Sequence, residues 1–357
     1  MKRYRIFILF LMVNLYMIQV EARSAGKLLP AKSDKIYFSA FPNFGGSEDV
    51  VTAKSIKKFE KLATRKIAWA EFSQHWFNGL VYPKAKIQTI SDEGVMPYIR
   101  FLPRSGLEQF KAEKKFTLEK IIKGDFDKEL RAWAKSAKNH NIPIIIDFAL
   151  EMNGDWFGWS GHFNGTNSKN KYGKSNYFDG PEKYRDAYRH IIDLFRAQKV
   201  SNVTWFFHPN IQSSPNEEWN LPKYYYPGDE YIDWIGISIY GAFYPKKSYW
   251  DTFDDILKEN YQNILEISST KPLAILEMGV TDHHISGKKS KWIEDAFKTI
   301  LSQKYLNFKA INYWHESWDD DGSLASLKID SSVESLTTFQ KVIQNDRFTS
   351  IVNLSVK

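Results

Sequence analysis

Two glutamates stand where a carboxylate is costly. The apolar run Ile142 to Leu150 leads directly into Glu151-Met152-Asn153-Gly154-Asp155-Trp156-Phe157, and Ile275-Leu276 leads into Glu277-Met278-Gly279. An ionised carboxyl beside such runs needs partners or a purpose. Two carboxyl groups surrounded by aromatic rings are the minimal apparatus for cleaving a glycosidic bond, one protonating the leaving oxygen while the other attacks the anomeric carbon. Taken singly, a strand-end glutamate is more often a salt-bridge partner. The pair, with its rings, points to chemistry.

Other constellations carry less. His283 and His284 are adjacent and lack the i, i+4 spacing of a helical zinc site, so no metal is expected. Asp319 to Asp321 follow Trp318 and read as a solvated turn in preference to a Ca2+ loop. There is no GxSxG elbow and, with no Cys in the chain, no thiol nucleophile. No cofactor is expected.

The elements that must position the glutamates follow from periodicity. Strands are predicted at Lys35 to Phe41, Lys66 to Phe72, Val95 to Leu102, Ile142 to Leu150, Asn202 to His208, Tyr231 to Tyr240, Pro272 to Glu277 and Phe308 to Trp314. Amphipathic stretches lie between them, at Ser47 to Thr64, Asp125 to Lys138, Pro181 to Gln198, Trp250 to Ser268, Lys288 to Gln303 and Ser332 to Gln344. The second unit is weakest, its helix confined to Tyr82 to Gly94. Apolar strands alternating with helices imply a parallel sheet covered on its outside, and no glycine-rich phosphate fingerprint follows the first strand. The expected fold is α/β, a single (β/α)8 TIM barrel over residues 35–345, with 346–357 a tail or edge strand. In such a barrel the site is built at the C-terminal strand ends, where both glutamates fall.

The composition agrees. Of 357 residues, 43% are hydrophobic and 25% charged, which excludes a disordered chain. Aromatics make up 16%, and flat rings beside polar loops hold amphipathic ligands such as sugars. Lys2, Arg3 and Arg5 precede an apolar run from Ile6 to Ile18, followed by Val20-Glu21-Ala22, so residues 1–22 read as an export signal and 23–34 as a linker. The run is too short for a spanning helix, which needs about 20 residues. The formal charge of +7 becomes +5 without Lys2, Arg3, Arg5 and Glu21. Basic clusters such as Lys111 to Lys115 alternate with acidic and apolar residues, giving no phosphate-tracking stripe and no expectation of nucleic acid. A secreted, soluble monomer is expected.

Several blocks then carry a resemblance. FALEMNGDWFGW, Phe148 to Trp159, resembles the acid/base signature of glycoside hydrolase family 26, HEMNG followed by Trp and further aromatics. Gly180 to Phe195, Asn202 to Asn210, Tyr226 to Tyr240, Pro272 to Gly279 and Asn312 to Trp318 match in the order that family shows. The resemblance implies a retaining (β/α)8 hydrolase with Glu151 as acid/base and Glu277 as nucleophile. It further implies Trp156 flanking the acid/base, Tyr240 steadying the nucleophile and Trp314 as the sugar-stacking platform. Arg100, His75, Asn153, His208, Asn210 and Glu316, near strand ends, are candidate sugar contacts. The family His before the acid/base is Leu150 here, a residue that in the family helps bind sugar. The expected substrate is a plant or microbial β-linked polysaccharide, β-1,4-mannan first and mixed-linkage β-glucan or β-1,3-xylan otherwise. The competing expectation is a catalytically idle polysaccharide-binding barrel.

Overall fold

The computed structural model describes residues 26–44, 47–246, 249–302, 304–305, 308–320 and 322–356. The export signal expected at 1–22 and Asp321 lie outside the described residues. Eight parallel strands close into a barrel: β1 Ile36–Phe41, β2 Trp69–His75, β3 Met96–Leu102, β4 Ile144–Phe148, β5 Val203–Phe207, β6 Trp234–Tyr240, β7 Leu273–Gly279 and β8 Phe308–Trp314. Each pairs with the next, and β1 pairs with β8 from Tyr37↔Ala310 to Phe41↔Trp314, which closes the ring. The (β/α)8 expectation is therefore met.

The period of two along each strand divides the barrel. Outward residues such as Ile36, Phe38, Ile99, Ile146 and Ile235 join one core with the helices. Inward residues form a second core of Tyr37, Trp69, Tyr98, Ile145, Phe206, Trp234 and Leu276. Phe206 stacks on Trp234 at 5.4 Å and Trp69 meets Phe206 edge-on at 6.2 Å. Each of these tryptophans removes ~150–250 Å2 from water, worth up to about 4–6 kcal/mol, so the floor of the barrel is firm. Further along the strands, toward the mouth, inward positions become polar: Ser39, Glu71, Arg100, Asp147, Ser238 and Asn312, all buried. An apolar floor beneath a polar mouth is thus written into the strand alternation.

Flanking helices include α1 Ala53–Ala63, α2 Lys84–Asp92, α3 Leu118–Lys123, α4 Asp127–His140, α5 Asp179–Ala197, α6 Pro222–Tyr225, α7 Phe253–Leu265, α8 Lys289–Ser302 and α9 Val333–Ile343. Thr52, Thr117, Thr252 and Ser332 cap four of them with side-chain oxygens that accept from the first turn. The second unit's helix, α2, has nine residues and lies within Tyr82 to Gly94, the place its sequence allowed. Residues expected to be a linker instead close the barrel bottom. Leu28 is buried, its carbonyl accepts from Trp234 Nε1 at 3.0 Å, and the Leu29 carbonyl accepts from Tyr37 OH at 2.9 Å. The polar tips of Trp234 and Tyr37 need acceptors, and this segment supplies them. Leu28–Leu29 also pairs with Asn353–Leu354, while Phe348–Thr349 adds to β1. Among the described residues no helix is long and apolar enough to cross a membrane, and no group of acidic or His side chains could hold a metal ion.

Candidate active site

Glu277 reaches the mouth because β7 carries one extra residue. The β6/β7 register runs Ile237↔Ile275 and then Ser238↔Glu277, so Leu276 is absorbed into the interior core and Glu277 also faces inward. Irregularities of this kind re-aim side chains beside active sites. Its carboxyl, 4% exposed, accepts from Tyr240 OH at 2.7 Å through Oε2 and faces Arg100 Nε at 3.3 Å through Oε1.

Glu151 stands just past β4 in a backbone that side chains rarely adopt. Ala149 and Glu151 both have left-handed φ, 51° and 52°, each costing roughly 1–3 kcal/mol. The strain is held by Ala149 N donating to the Phe101 carbonyl at 3.1 Å and Glu151 N to the His208 carbonyl at 2.6 Å. Trp156 Nε1 donates to Glu151 Oε2 at 2.8 Å. Gly154 makes room for this contact, since a Cβ there would lie 2.4 Å from the Trp156 ring. Glu151 is 8% exposed. Leu150 is wholly buried in the core around the barrel and offers nothing to the mouth.

Burial raises both carboxyls. On Glu277 it pushes the pKa up to about 7, against the lowering pull of Arg100 and with a further upward push from Glu151. On Glu151 it also prevails over its hydrogen bonds and Arg100. A guanidinium at 3.3 Å and a phenol O–H favour the ionised form at Glu277, whereas at Glu151 Ser238, Arg100 and the Trp156 indole N–H do so with no cation in direct contact. The two buried carboxyls thus differ in their partners, Glu277 facing a cation and a phenol where Glu151 faces an indole.

Several expected sugar contacts are committed to the protein. Arg100 is buried among carboxylates, with its NH1 nitrogen 2.9 Å from Glu48 Oε2 and its Nε 3.7 Å from Glu71 Oε1. It is a counter-ion in place of a sugar ligand. Asn153 is fully buried: Nδ2 donates to the Asn210 carbonyl at 2.8 Å and Oδ1 accepts Asn210 N at 2.9 Å. It ties the β4 loop to the β5 loop. His208 is likewise enclosed, with Nδ1 at 2.6 Å from Asp147 Oδ2 and Nε2 at 2.9 Å from Ser238 Oγ.

Trp314 is the largest correction. Phe41 lies face to face with it at 4.1 Å, the Arg100 guanidinium sits 4.8 Å from its ring centre, and the residue is 4% exposed. No open face remains for a sugar ring, so Trp314 supports Arg100 as part of the wall. Trp314→Ala should therefore cost about 3–5 kcal/mol of stability, measured by denaturant unfolding, and lower kcat with little change in KM. A raised KM with unchanged stability would restore the platform role.

Glu316 and His75 remain at the mouth. Trp314 Nε1 donates to Glu316 Oε2 at 3.1 Å, and burial with the nearby Glu48 carboxylate pushes Glu316 up to about 7. His75 stacks on Phe77 at 5.0 Å, and burial together with Arg104 pushes it down to about 4, so the ring is neutral. Glu48, Glu71, Asp147, Ser238 and Asn312 were not read from sequence. For Glu71 and Asp147 a signal existed, namely a carboxylate inside an apolar strand, WAEF and IIIDF, as costly there as at a strand end.

Residues 110–308, more than half of the chain, match the family described as Glycosyl hydrolase family 26. Endoglucanase H of Acetivibrio thermocellus is 27% identical over 291 residues, covering 81% of this chain and 29% of that protein. A mannan endo-1,4-beta-mannosidase of Bacillus subtilis is 26% identical over 179 residues, 50% of this chain and 41% of that protein. The chain thus spans less than half the length of these two relatives. Among solved structures, the catalytic domain of a Bacillus endo-beta-1,4-mannanase superposes with a TM-score of 0.61 at 16% identity, covering 92% of this chain and 95% of that one. A Cellulomonas fimi endo-beta-1,4-mannanase gives 0.60 at 18% identity, covering 88% and 72%. At such identities the likeness concerns the fold.

Proposed function

The chain belongs to glycosyl hydrolase family 26, and from that membership and its carboxyl pair we propose that it is a secreted, retaining endo-β-glycanase with β-1,4-mannan as its first substrate. The observation that carries the proposal is the unequal set of partners around two buried glutamates, one just past β4 and one on β7, the latter facing a guanidinium and a phenol, the former an indole. That inequality is what acid and nucleophile require of chemically identical side chains. Names among the relatives, endoglucanase and mannan endo-1,4-beta-mannosidase, support a β-linked polysaccharide and keep β-glucan beside mannan.

In this mechanism Glu277 Oε1 or Oε2 attacks the anomeric carbon while Glu151 gives its proton to the departing glycosidic oxygen. The C–O bond to the leaving sugar breaks as the ester to Glu277 forms. Water then attacks the same carbon, Glu151 takes its proton, and Glu277 leaves as carboxylate, so two inversions return the β configuration. Arg100 and Tyr240 hold Glu277 ionised for attack and stabilise it again as a leaving group.

The test is a panel of mannan, glucomannan, lichenan, xylan and alginate assayed for new reducing ends. Internal cleavage of mannan or glucomannan is expected. Binding without cleavage of any member would instead support an idle polysaccharide-binding barrel.

A further inference from the structure

The loop from β3 to α3, residues 103–117, is built with more care than a connection needs. One carboxylate draws its ends together: Glu113 Oε2 accepts from Ser105 N at 2.8 Å, while Oε1 accepts from Lys115 N at 2.7 Å and from the backbone of Lys114 and Phe116 at 3.0 Å. Arg104 adds a clasp, its Nε donating to the Gly106 carbonyl at 2.6 Å and its guanidinium lying 5.9 Å from the centre of the Phe157 ring. The closed loop is fastened to the segment that carries the acid/base. Phe110 N donates to the Trp156 carbonyl at 2.9 Å. A Cβ at Gly158 would lie 2.5 Å from Glu113 N and 2.7 Å from the Lys111 carbonyl, so only glycine lets the two backbones come this close. Trp156 in turn donates its indole N–H to Glu151, which places Phe110 one residue's width from the catalytic carboxyl.

What this construction presents is the side chain of Phe110. The residue is 66% exposed, and among the described residues no aromatic ring or cation stacks on it. Its φ is 57°, in the left-handed region that bulky side chains avoid. A lone exposed apolar side chain on ordinary backbone calls for no explanation. Here the folded chain holds a large ring in water at the expense of its backbone, the kind of local strain that collects at ligand clamps. Position selects the occupant. Glu151 gives its proton to the oxygen joining the cleaved sugar to the leaving one, whereas the cleaved sugar is the one attacked by Glu277. A ring borne on the Glu151 side therefore meets the leaving sugar, whose C–H faces favour an aromatic plane. We propose that Phe110 is the stacking platform for the leaving-group side of a bound β-linked polysaccharide. This rests on Glu151 as acid/base and adds the residue that grips the departing part of the chain.

Phe110→Asn removes the ring and suits the left-handed backbone, which asparagine adopts far more readily, so its midpoint of denaturant unfolding should equal or exceed that of the wild type. Its kcat/KM on the polysaccharide cleaved should nevertheless fall about three- to tenfold, the worth of one aromatic stack. Hydrolysis of a β-glycosyl fluoride of the same sugar should keep its rate, because fluoride departs without filling the leaving-sugar side. Transfer from that fluoride to an added oligosaccharide, whose hydroxyl attacks the anomeric carbon as Glu151 takes its proton and Glu277 leaves, should fall by the same factor as polysaccharide cleavage. Phe110→Tyr keeps the plane and should restore both. A lowered midpoint in Phe110→Asn, an unchanged kcat/KM on polysaccharide, or an equal loss on the fluoride overturns the proposal. If the wild type cleaves no member of the panel, the proposed activity fails by itself and the platform is read by electrophoresis through gels containing those polysaccharides. The wild type should then be retarded more than Phe110→Asn, and equal migration of the two overturns the platform.

Discussion

Glu277→Ala should lose roughly 10⁵-fold or more of kcat/KM on every cleaved substrate, the scale on which a covalent catalyst fails without its nucleophile. Glu151→Ala should lose about 10²–10⁴-fold on polysaccharide, the usual contribution of general acid–base catalysis, yet form its covalent intermediate freely from an aryl glycoside whose leaving group needs no proton. That intermediate then accumulates, because nothing activates water. Azide needs no base. Added to Glu151→Ala it should restore turnover and give a β-glycosyl azide, while with Glu277→Ala it should give the α product or none. Product analysis by NMR separates these outcomes. Responses exchanged between the two variants would exchange the roles, and full activity in both would place the chemistry elsewhere.

Arg100→Met should produce the second largest effect. Arg100 is the cation shared by Glu277, Glu71 and Glu48, with Glu71 wholly buried and raised well above the usual carboxylate range by burial and by Glu277. Removing one partner of a buried ion network leaves uncompensated carboxylates and should cost about 3–5 kcal/mol of stability, read by denaturant unfolding. The pH dependence carries the more specific expectation. Arg100 lowers the pKa of both Glu277 and Glu151, so without it both rise. The acid limb, set by ionisation of Glu277, and the alkaline limb, set by loss of the Glu151 proton, should therefore move together toward higher pH, by roughly one unit or more. Activity near neutrality falls because Glu277 is protonated there, and part of it returns as pH is raised. A destabilised protein whose bell has not moved would make Arg100 structural only.

How much of this was legible in the sequence depends on which physical rule each residue obeys. The strands and longer helices declare themselves by period, and Glu151 and Glu277 by interrupting apolar runs. Trp156 and Tyr240 follow from the family resemblance, and in the folded barrel they donate to Glu151 and Glu277. Arg100, Asn153, His208 and Trp314 were placed at the correct end of the barrel but assigned to sugar, because position along a strand does not say what a side chain's polar atoms will meet. In the folded barrel the nearest partners of Arg100 are Glu48, Glu71 and Glu277, and Asn153 closes on Asn210 across two loops. Those pairings join residues 29 to 177 positions apart in the chain, which no local pattern encodes. The extra residue at Leu276 is similarly invisible, since an apolar strand reads alike with or without it. Glu71 and Asp147 are legible by the same rule. A carboxylate in mid-strand breaks the same rule as one at a strand end, and here it marks the layer beneath the site.

The assignment of Glu277 as nucleophile is tested most directly by trapping the ester it must form. A 2-deoxy-2-fluoro-β-glycosyl fluoride of the sugar released from the preferred polysaccharide forms the intermediate quickly and loses it slowly, because fluorine at C2 destabilises both oxocarbenium-like transition states while fluoride leaves easily. After proteolysis and mass spectrometry, one fluoroglycosyl unit should be found on the peptide containing Leu276-Glu277-Met278 and localised to Glu277. A label on Glu151, on Glu316 or on any other residue, or inactivation-free turnover with no label at all, would contradict it.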